Sequence, residues 1–209
     1  MASPIRVALT GLSSSASTSW ASGAHIPYLL SPRGKEKFQI VALLNSSVDA
    51  AKKSIQTYKL DPATVKPYGD PQSLADDPDV DLVVNCTRVD VHHGTILPSV
   101  KAGKGVFVEW PLAHDVRHAR ELAQTAQASG SRSVNGLQGR FAPVILKLRE
   151  LLEQGAIGKI VSSEIKAAGG FNDRETLPTG LKYFTDRSVG GNVYTIGYGH
   201  REYHPLPLQ

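Results

Sequence analysis

Ile5-Arg6-Val7-Ala8-Leu9-Thr10-Gly11-Leu12-Ser13 is the stretch on which the fold turns. Ile5–Leu9 is a short run of β-branched and apolar residues, which reads as a buried strand, and Thr10-Gly11 closes it with a tight turn. Working outward, the same pattern returns. Gln39–Leu44 is a second buried strand, Asp79–Cys86 a third entered from an acidic turn, and Val106-Phe107-Val108 another. Val65–Tyr68 supplies a short additional strand and Ser133-Val134-Asn135 a last one. Between them lie stretches with helical spacing. Val48–Tyr58 is capped by Ser47 and stopped by Asp61-Pro62. His92–Ala102 is helical provided that Pro98 sits early or kinks it. A third helix runs from the cap Asp115 to about Ser129, with Val116, Ala119, Leu122, Ala123 and Ala126 on one face. Strands separated by helices of this length imply βαβ crossovers, hence an α/β fold with a doubly wound parallel sheet of the Rossmann type.

The domain boundary falls near Asn135–Arg140, giving a first domain over residues 1–136 and a second over 137–209. The second opens with an amphipathic helix carrying Phe141, Val144, Ile145, Leu148, Leu151 and Leu152 on one stripe. In Ile160–Ala168 apolar and polar residues then alternate, as in a half-buried strand of an antiparallel sheet. The second domain is therefore expected to be α+β.

Composition narrows the function classes. Of 209 residues 41% are hydrophobic, enough for one full core and part of a second. The net charge of +4 is spread over Arg33/Lys35/Lys37, Lys52/Lys53 and Arg117/Arg120, without a basic helix or aromatic-basic interleaving. That is a solvated surface, and no direct nucleic-acid partner is expected. Cys86 is the single cysteine, which excludes an internal disulfide and fits a reducing compartment. No signal-type leader precedes Ile5, and no apolar run approaches the roughly 20 residues that span a bilayer. A cytoplasmic protein is expected, with the nucleus as a further location. No metal site is expected.

The first turn is the natural phosphate site, because a helix start just beyond Gly11 offers free N–H groups to a pyrophosphate. Against the pattern G-x-G-x-x-G, Gly11 fills the first place while Ser13 and Ala16 stand at the second and third. So degenerate a match reads equally as a Gly-Ser loop joining strand to helix. At the end of the second strand, Asn45-Ser46-Ser47 stands where NAD sites place an acid, and no acid occurs until Asp49. An uncharged, hydroxyl-bearing patch tolerates a 2′-phosphate, so the cofactor expected is NAD or NADP with a slight lean to NADP. The segment Asn85-Cys86-Thr87-Arg88-Val89-Asp90-Val91-His92-His93 lies at a strand's carboxyl end, where open α/β sheets bind ligands. Cys86 reads as a small buried filler rather than a nucleophile, since no activating base is identifiable.

Ala102-Gly103-Lys104-Gly105-Val106-Phe107-Val108-Glu109-Trp110-Pro111-Leu112 resembles the A-G-K-x-V-x-x-E-K-P signature of the Gfo/Idh/MocA family. Thr87 and His92 fit that family's T-P-x-x-x-H segment, with Arg88 in place of proline. Phe107–Trp110, Leu137-Gln138-Gly139-Arg140, Glu150–Gly158 and Ser163-Glu164-Ile165 resemble its fungal galactose/lactose regulatory repressor branch. The resemblance implies an amino-terminal dinucleotide-binding domain and a carboxyl-terminal α/β domain for substrate binding and association, with homo-oligomers in full-length relatives. The cofactor-binding residues expected are Gly11, Leu12, Ser13 and Trp20 near the first turn, and Asn45 and Ser46 after the second strand. Thr87, Arg88 and His92 follow the third, and Glu109 and Trp110 stand in the signature.

Departures from the family pattern bear on catalysis. Trp110 replaces a lysine that orients substrate and assists proton transfer, and an indole can stack or close a pocket but is no acid or base. Ile196 stands at the place of the family's aspartate, while His200 is kept. Two of three proton-handling positions are gone, which leaves His200, or Tyr183, as candidate catalytic residue. Prolines 205 and 207 deny a helix after His200, so the second domain is expected to be incomplete, a truncated product. The expected function is dinucleotide binding by an oxidoreductase-like protein with lost or altered catalysis. If active, it would act on CH-OH groups of sugars or polyols. The alternative is a non-catalytic regulator that binds a transcriptional activator, so the partner is either a small sugar-like substrate or a regulatory protein.

Overall fold

The computed structural model describes residues 3–16, 19–164 and 179–191. The chain divides into two compact units, Met1–Gly136 and Leu137–Gln209.

In the first unit, six strands form one sheet: β1 (Ile5–Thr10), β2 (Phe38–Leu44), β3 (Lys66–Tyr68), β4 (Leu82–Asn85), β5 (Gly105–Glu109) and β6 (Ser133–Gly136). All pairings are parallel, in the order β3-β2-β1-β4-β5-β6. This is the doubly wound Rossmann arrangement, with its reversal of strand order beside β1. Crossover helices cover both faces. On one face α1 (Ile26–Leu29), α2 (Pro32–Lys35) and α3 (Val48–Thr57) follow β1 and β2; Ile26, Leu29, Ala51 and Ile55 pack there against Val7, Leu9, Leu43 and Val84. On the other lie α4 (Pro71–Ala75), α5 (Val89–Lys101) and α6 (Val116–Ser129); Leu74 meets Ala8, Ala42 and Val83, while Ile96, Val100 and Leu122 meet Val106 and Val108. Burial on both faces is why β1, β2 and β4 read as continuous apolar runs. At the opposite end of the sheet from the strand carboxyl ends, Arg6 bonds Asp79 and Asp81 just ahead of β4.

β2 carries an irregularity that its sequence does not announce. Val7 pairs with Ile40 but Ala8 pairs with Ala42, so Val41 is an extra residue in β2. This parallel bulge resets the alternation: Ile40 and Leu43 face one core, Val41, Ala42 and Leu44 the other.

Several expectations are corrected. No helix starts just beyond Gly11; the chain runs through Leu12–Ala16 without regular structure, and a π-helical turn over Ala21–His25 precedes α1. Ser13 explains part of this, because its Oγ accepts from the N–H groups of Ser15 and Ala16 and so competes with helical bonding. α5 starts at Val89, and Pro98 sits inside it near the far end, between the buried Ile96 and Val100 that hold the turn in place. α6 buries a narrower stripe than expected: Leu122 is buried and Ala119 and Ala126 pack beside it, but Val116 and Ala123 are exposed. The short α4, capped by Asp70, was not foreseen.

Among its described residues the second unit holds 3-10 turns over Gln138–Phe141, Thr179–Thr185 and Arg187–Val189, and one longer helix, α7 (Pro143–Glu153). The helix forms where its spacing predicts, but its apolar stripe is at most half-buried: Phe141 just ahead of it is 74% exposed, Val144 70% and Leu148 46%, while Ile145, Leu151 and Leu152 are half-buried. The strand expected over Ile160–Ala168 is not found in its described part. Ile160–Glu164 has no regular structure and Val161 is 94% exposed; Ile165–Ala168 lie outside the described residues. Alternation yields a strand only when a neighbouring ladder takes up the backbone bonds, and none among the described residues does so.

Candidate functional site

The carboxyl ends of β2, β1, β4 and β5 lie side by side, and most of the sequence-predicted site residues gather there. Gly11 follows β1 at φ +79°, its N–H donating to Leu44 O at 3.1 Å. A Cβ at this position would lie 2.9 Å from the Cys86 carbonyl oxygen, so the turn admits only glycine where it crosses from β1 towards β4.

The next peptides are held from below. Asn45 Nδ2 donates to Leu12 O at 3.0 Å, to Ala50 O at 3.3 Å and to Ser54 Oγ at 3.0 Å. Two carbonyl acceptors fix the orientation of this amide, and its Oδ1 is buried without a protein partner. Tyr58 OH donates to Ser13 O at 2.9 Å. In a trans peptide the N–H points opposite to the preceding carbonyl. Drawing the Leu12 and Ser13 oxygens inward therefore turns the N–H groups of Ser13 and Ser14 outward. The loop presents donors by this tether rather than by a helix terminus. Asn45 thus serves the turn, and Ser47 Oγ caps α3 at Ala50 N; Ser46 is left as the exposed hydroxyl after β2. Trp20 is about half exposed at the head of the π-turn.

At the end of β4, the fully buried Asn85 Oδ1 accepts from Thr10 Oγ1 at 2.5 Å and Thr87 Oγ1 at 3.0 Å, which locks Thr87 against the end of β1. Arg88 holds Asp90 through two bonds, and the guanidinium keeps that carboxyl below the usual range. His92 is buried, with Nε2 2.8 Å from Thr87 O and Nδ1 2.9 Å from Pro111 O. It pins the β4–α5 segment to the β5–α6 loop. Burial, the largest influence, lowers its pKa below the ordinary imidazole value, against the raising effect of the backbone groups around it.

At the end of β5, Glu109 meets a residue that the sequence did not point to. His25 Nε2 lies 2.6 Å from Glu109 Oε1, and its ring packs edge-on against Phe107 at 5.6 Å. The two are 84 positions apart, and no local spacing signals the pairing. Cys86 lies in the same group, one donor atom from each of His25, Cys86 and Glu109 falling within 4.8 Å of the others. Burial, and then the nearby Glu109 charge, push the Cys86 thiol up, which does not suit a nucleophile. The Trp110–Pro111 bond is cis. His200 and Ile196 lie outside the described residues. Tyr183 sits in the second unit, its ring against Phe184.

A sheet of this order with a glycine turn at the strand reversal, tethered outward-facing N–H groups and a Gly-Lys-Gly-Val-Phe-Val-Glu strand defines the class. The chain belongs to the Gfo/Idh/MocA oxidoreductase family with its NAD-binding Rossmann fold, whose model matches residues 5–136. The model described as Gal80p, C-terminal domain, matches residues 143–202. Among particular relatives, the chain is 33% identical to the galactose/lactose metabolism regulatory protein GAL80 of Saccharomyces cerevisiae, over 95% of this chain and 46% of that protein. It is also 33% identical to the dehydrogenase aclE of Aspergillus oryzae, over 96% of this chain and 53% of the relative. The crystal structure of a Saccharomyces cerevisiae Gal80p super-repressor mutant superposes with a TM-score of 0.81 at 30% identity, covering 95% of this chain and 51% of that one. The chain spans about half the length of the relatives it matches. No helix among the described residues is long and apolar enough to cross a membrane.

Proposed function

We propose that the chain binds a nicotinamide dinucleotide along the carboxyl edge of its sheet, as an oxidoreductase-like protein with altered catalysis. The observation that carries this reading is the tethered turn: Gly11 clears the Cys86 carbonyl while Asn45 and Tyr58 hold two peptides with their N–H groups outward. Such a cradle fits a pyrophosphate. In this reading Gly11, Leu12 and Ser13 hold the phosphates and Ser46 meets the adenosine ribose. Thr87, Arg88, Glu109 and Trp110 border the nicotinamide end, with His92 positioning them and Trp20 flanking the entrance. The fragment 1–136 acts as the dinucleotide domain and 137–209 belongs to a substrate or association domain. With Ser46 exposed after β2 and no acid before Asp49, NADP is favoured over NAD.

A bound nicotinamide supplies hydride transfer, and a sugar or polyol CH-OH group is the matching substrate. The chain must then move a proton, and Trp110 cannot. This favours a second reading, in which the occupied site reports dinucleotide to a transcriptional activator, as the likeness to a galactose regulatory protein over most of the chain suggests. Either role places the protein in the cytoplasm, the second also in the nucleus.

Titrating the full chain with NAD(H) and NADP(H), followed by nicotinamide fluorescence, tests the first step. Binding is expected, tighter for the NADP pair, and Gly11→Ala is expected to lose it by at least about tenfold through the left-handed backbone and the clash. Unchanged binding by that variant sinks the turn assignment. Turnover in a screen of sugars would exclude the purely regulatory reading.

A further inference from the structure

The sheet face opposite His25 carries a second cluster that the dinucleotide reading does not use. His93 on α5, His114 and Asp115 ahead of α6, and His118 in its first turn converge beside the core of Val106, Val108 and Leu122. His114 Nε2 lies 3.3 Å and His118 Nδ1 2.8 Å from the same oxygen, Asp115 Oδ2. The other oxygen, Oδ1, accepts the His118 N–H at 2.8 Å and caps the helix. The carboxylate is thus divided between a structural bond and a polar focus. The ring of His118 is 4.3 Å from that of His93 and 4.6 Å from that of His114. His114 Nδ1 is buried without a protein partner, so this imidazole is not saturated by the fold.

We propose that His114, Asp115 and His118 form a binding site for a divalent transition-metal cation of the zinc class. One donor atom from each falls within 4.8 Å of the others; the 3.3 Å edge from His114 to Asp115 matches the roughly 3.3 Å between ligands about 2.0–2.1 Å from one tetrahedral ion, and the 2.8 Å hydrogen bond from His118 to Asp115 opens by about half an ångström when an ion replaces its proton. Two imidazole nitrogens and a carboxylate oxygen are the ligand types that zinc takes, and three protein ligands leave a fourth place for water. His93, bonded through Nε2 to Glu121 Oε2 at 3.0 Å, forms the wall beside the site. Binding through His118 Nδ1 moves its proton to Nε2, where Arg117 Nη2 now sits at 3.0 Å, so the exposed Arg117 side chain swings aside. His25, Cys86 and Glu109 form the competing cluster, which Cys86→Ser separates from this one.

Equilibrium dialysis of the full chain against Zn2+ alone, with Co2+ spectroscopy on the same protein, tests the site. About one ion per chain is expected, with a Co2+ spectrum free of a thiolate charge-transfer band. Asp115→Asn keeps a helix-capping side chain, since asparagine caps as well as aspartate, yet is expected to weaken Zn2+ by at least about tenfold. His114→Gln with His118→Gln is expected to abolish binding, and Cys86→Ser to leave it unchanged. The idea is overturned if Zn2+ fails to bind, if Cys86→Ser abolishes binding, or if Asp115→Asn binds like the parent while showing the parent's melting curve.

Discussion

Leu43 and Leu148 both occupy positions where the apolar pattern predicts a core, and they meet opposite ends. Leu43 is fully buried in the sheet, whereas Leu148 on α7 is 46% exposed. The difference is not one of local propensity, because both elements form where the sequence places them. A strand within the sheet gains neighbours on two edges and helices on both faces. α7 has a good apolar stripe and, among the described residues, no buried position along its length. Periodicity predicts which face an element would bury; burial itself needs a partner surface.

The largest effect should come from cutting into the buried side. Leu43→Ala is expected to cost about 2–5 kcal/mol in urea unfolding of the full chain, from lost transfer energy and the cavity left behind. A cost below about 1 kcal/mol would mean that the double-sided core is looser than its burial implies.

A smaller effect should follow from pH. His92 is buried with its pKa lowered, so the unfolded chain takes up a proton more readily than the folded one. Its contribution to stability is therefore present above the ordinary imidazole value of 6.5 and is lost as pH falls through the lower folded value. Urea midpoints measured on acidification should drop in that window, and His92→Gln should flatten the drop. Asp81 and Asp90, held low chiefly by bonds from Arg6 and Arg88, titrate separately below the usual carboxylate value of 3.8. An unchanged slope in His92→Gln would assign the window to other histidines.

The smallest effect belongs to the other side of the comparison. Leu148→Ala should shift stability by less than about 0.5 kcal/mol, as for an ordinary surface substitution. A loss matching that of Leu43→Ala would show that α7 is packed after all.

The same contrast explains what the sequence disclosed. β1, β2, β4 and β5 were legible because strands covered on both faces collect apolar residues in unbroken runs. That same unbroken character hid the Val41 bulge, since a run without alternation carries no phase to interrupt. The stretch after Gly11 misled because serine and glycine mark both a phosphate turn and a plain loop, and Ser13 spends its hydroxyl on its own backbone. Within the site, glycine at the turn and the segments around Thr87 and Glu109 were legible from short spacings. The inward turn of Asn45, the pairing of His25 with Glu109 and the meeting of His93 with His118 were not, for each joins residues brought together only by the completed sheet.

The position of β1 in the strand order has a consequence in time. It lies at the centre of the sheet yet precedes both partners along the chain, with Val7 pairing to Ile40 on one side and Leu82 on the other. The longer closure is thermodynamically mild, since each doubling of a loop adds only about 0.6 kcal/mol. Kinetically it is slow, because distant parallel pairings form late. Until β4 docks, this central strand, with Val7, Ala8 and Leu9 fully buried in the finished sheet, offers one bare edge to any other chain. The hazard in folding this protein is thus concentrated in a strand whose Val7, Ala8 and Leu9 are, once folded, out of reach of any other chain.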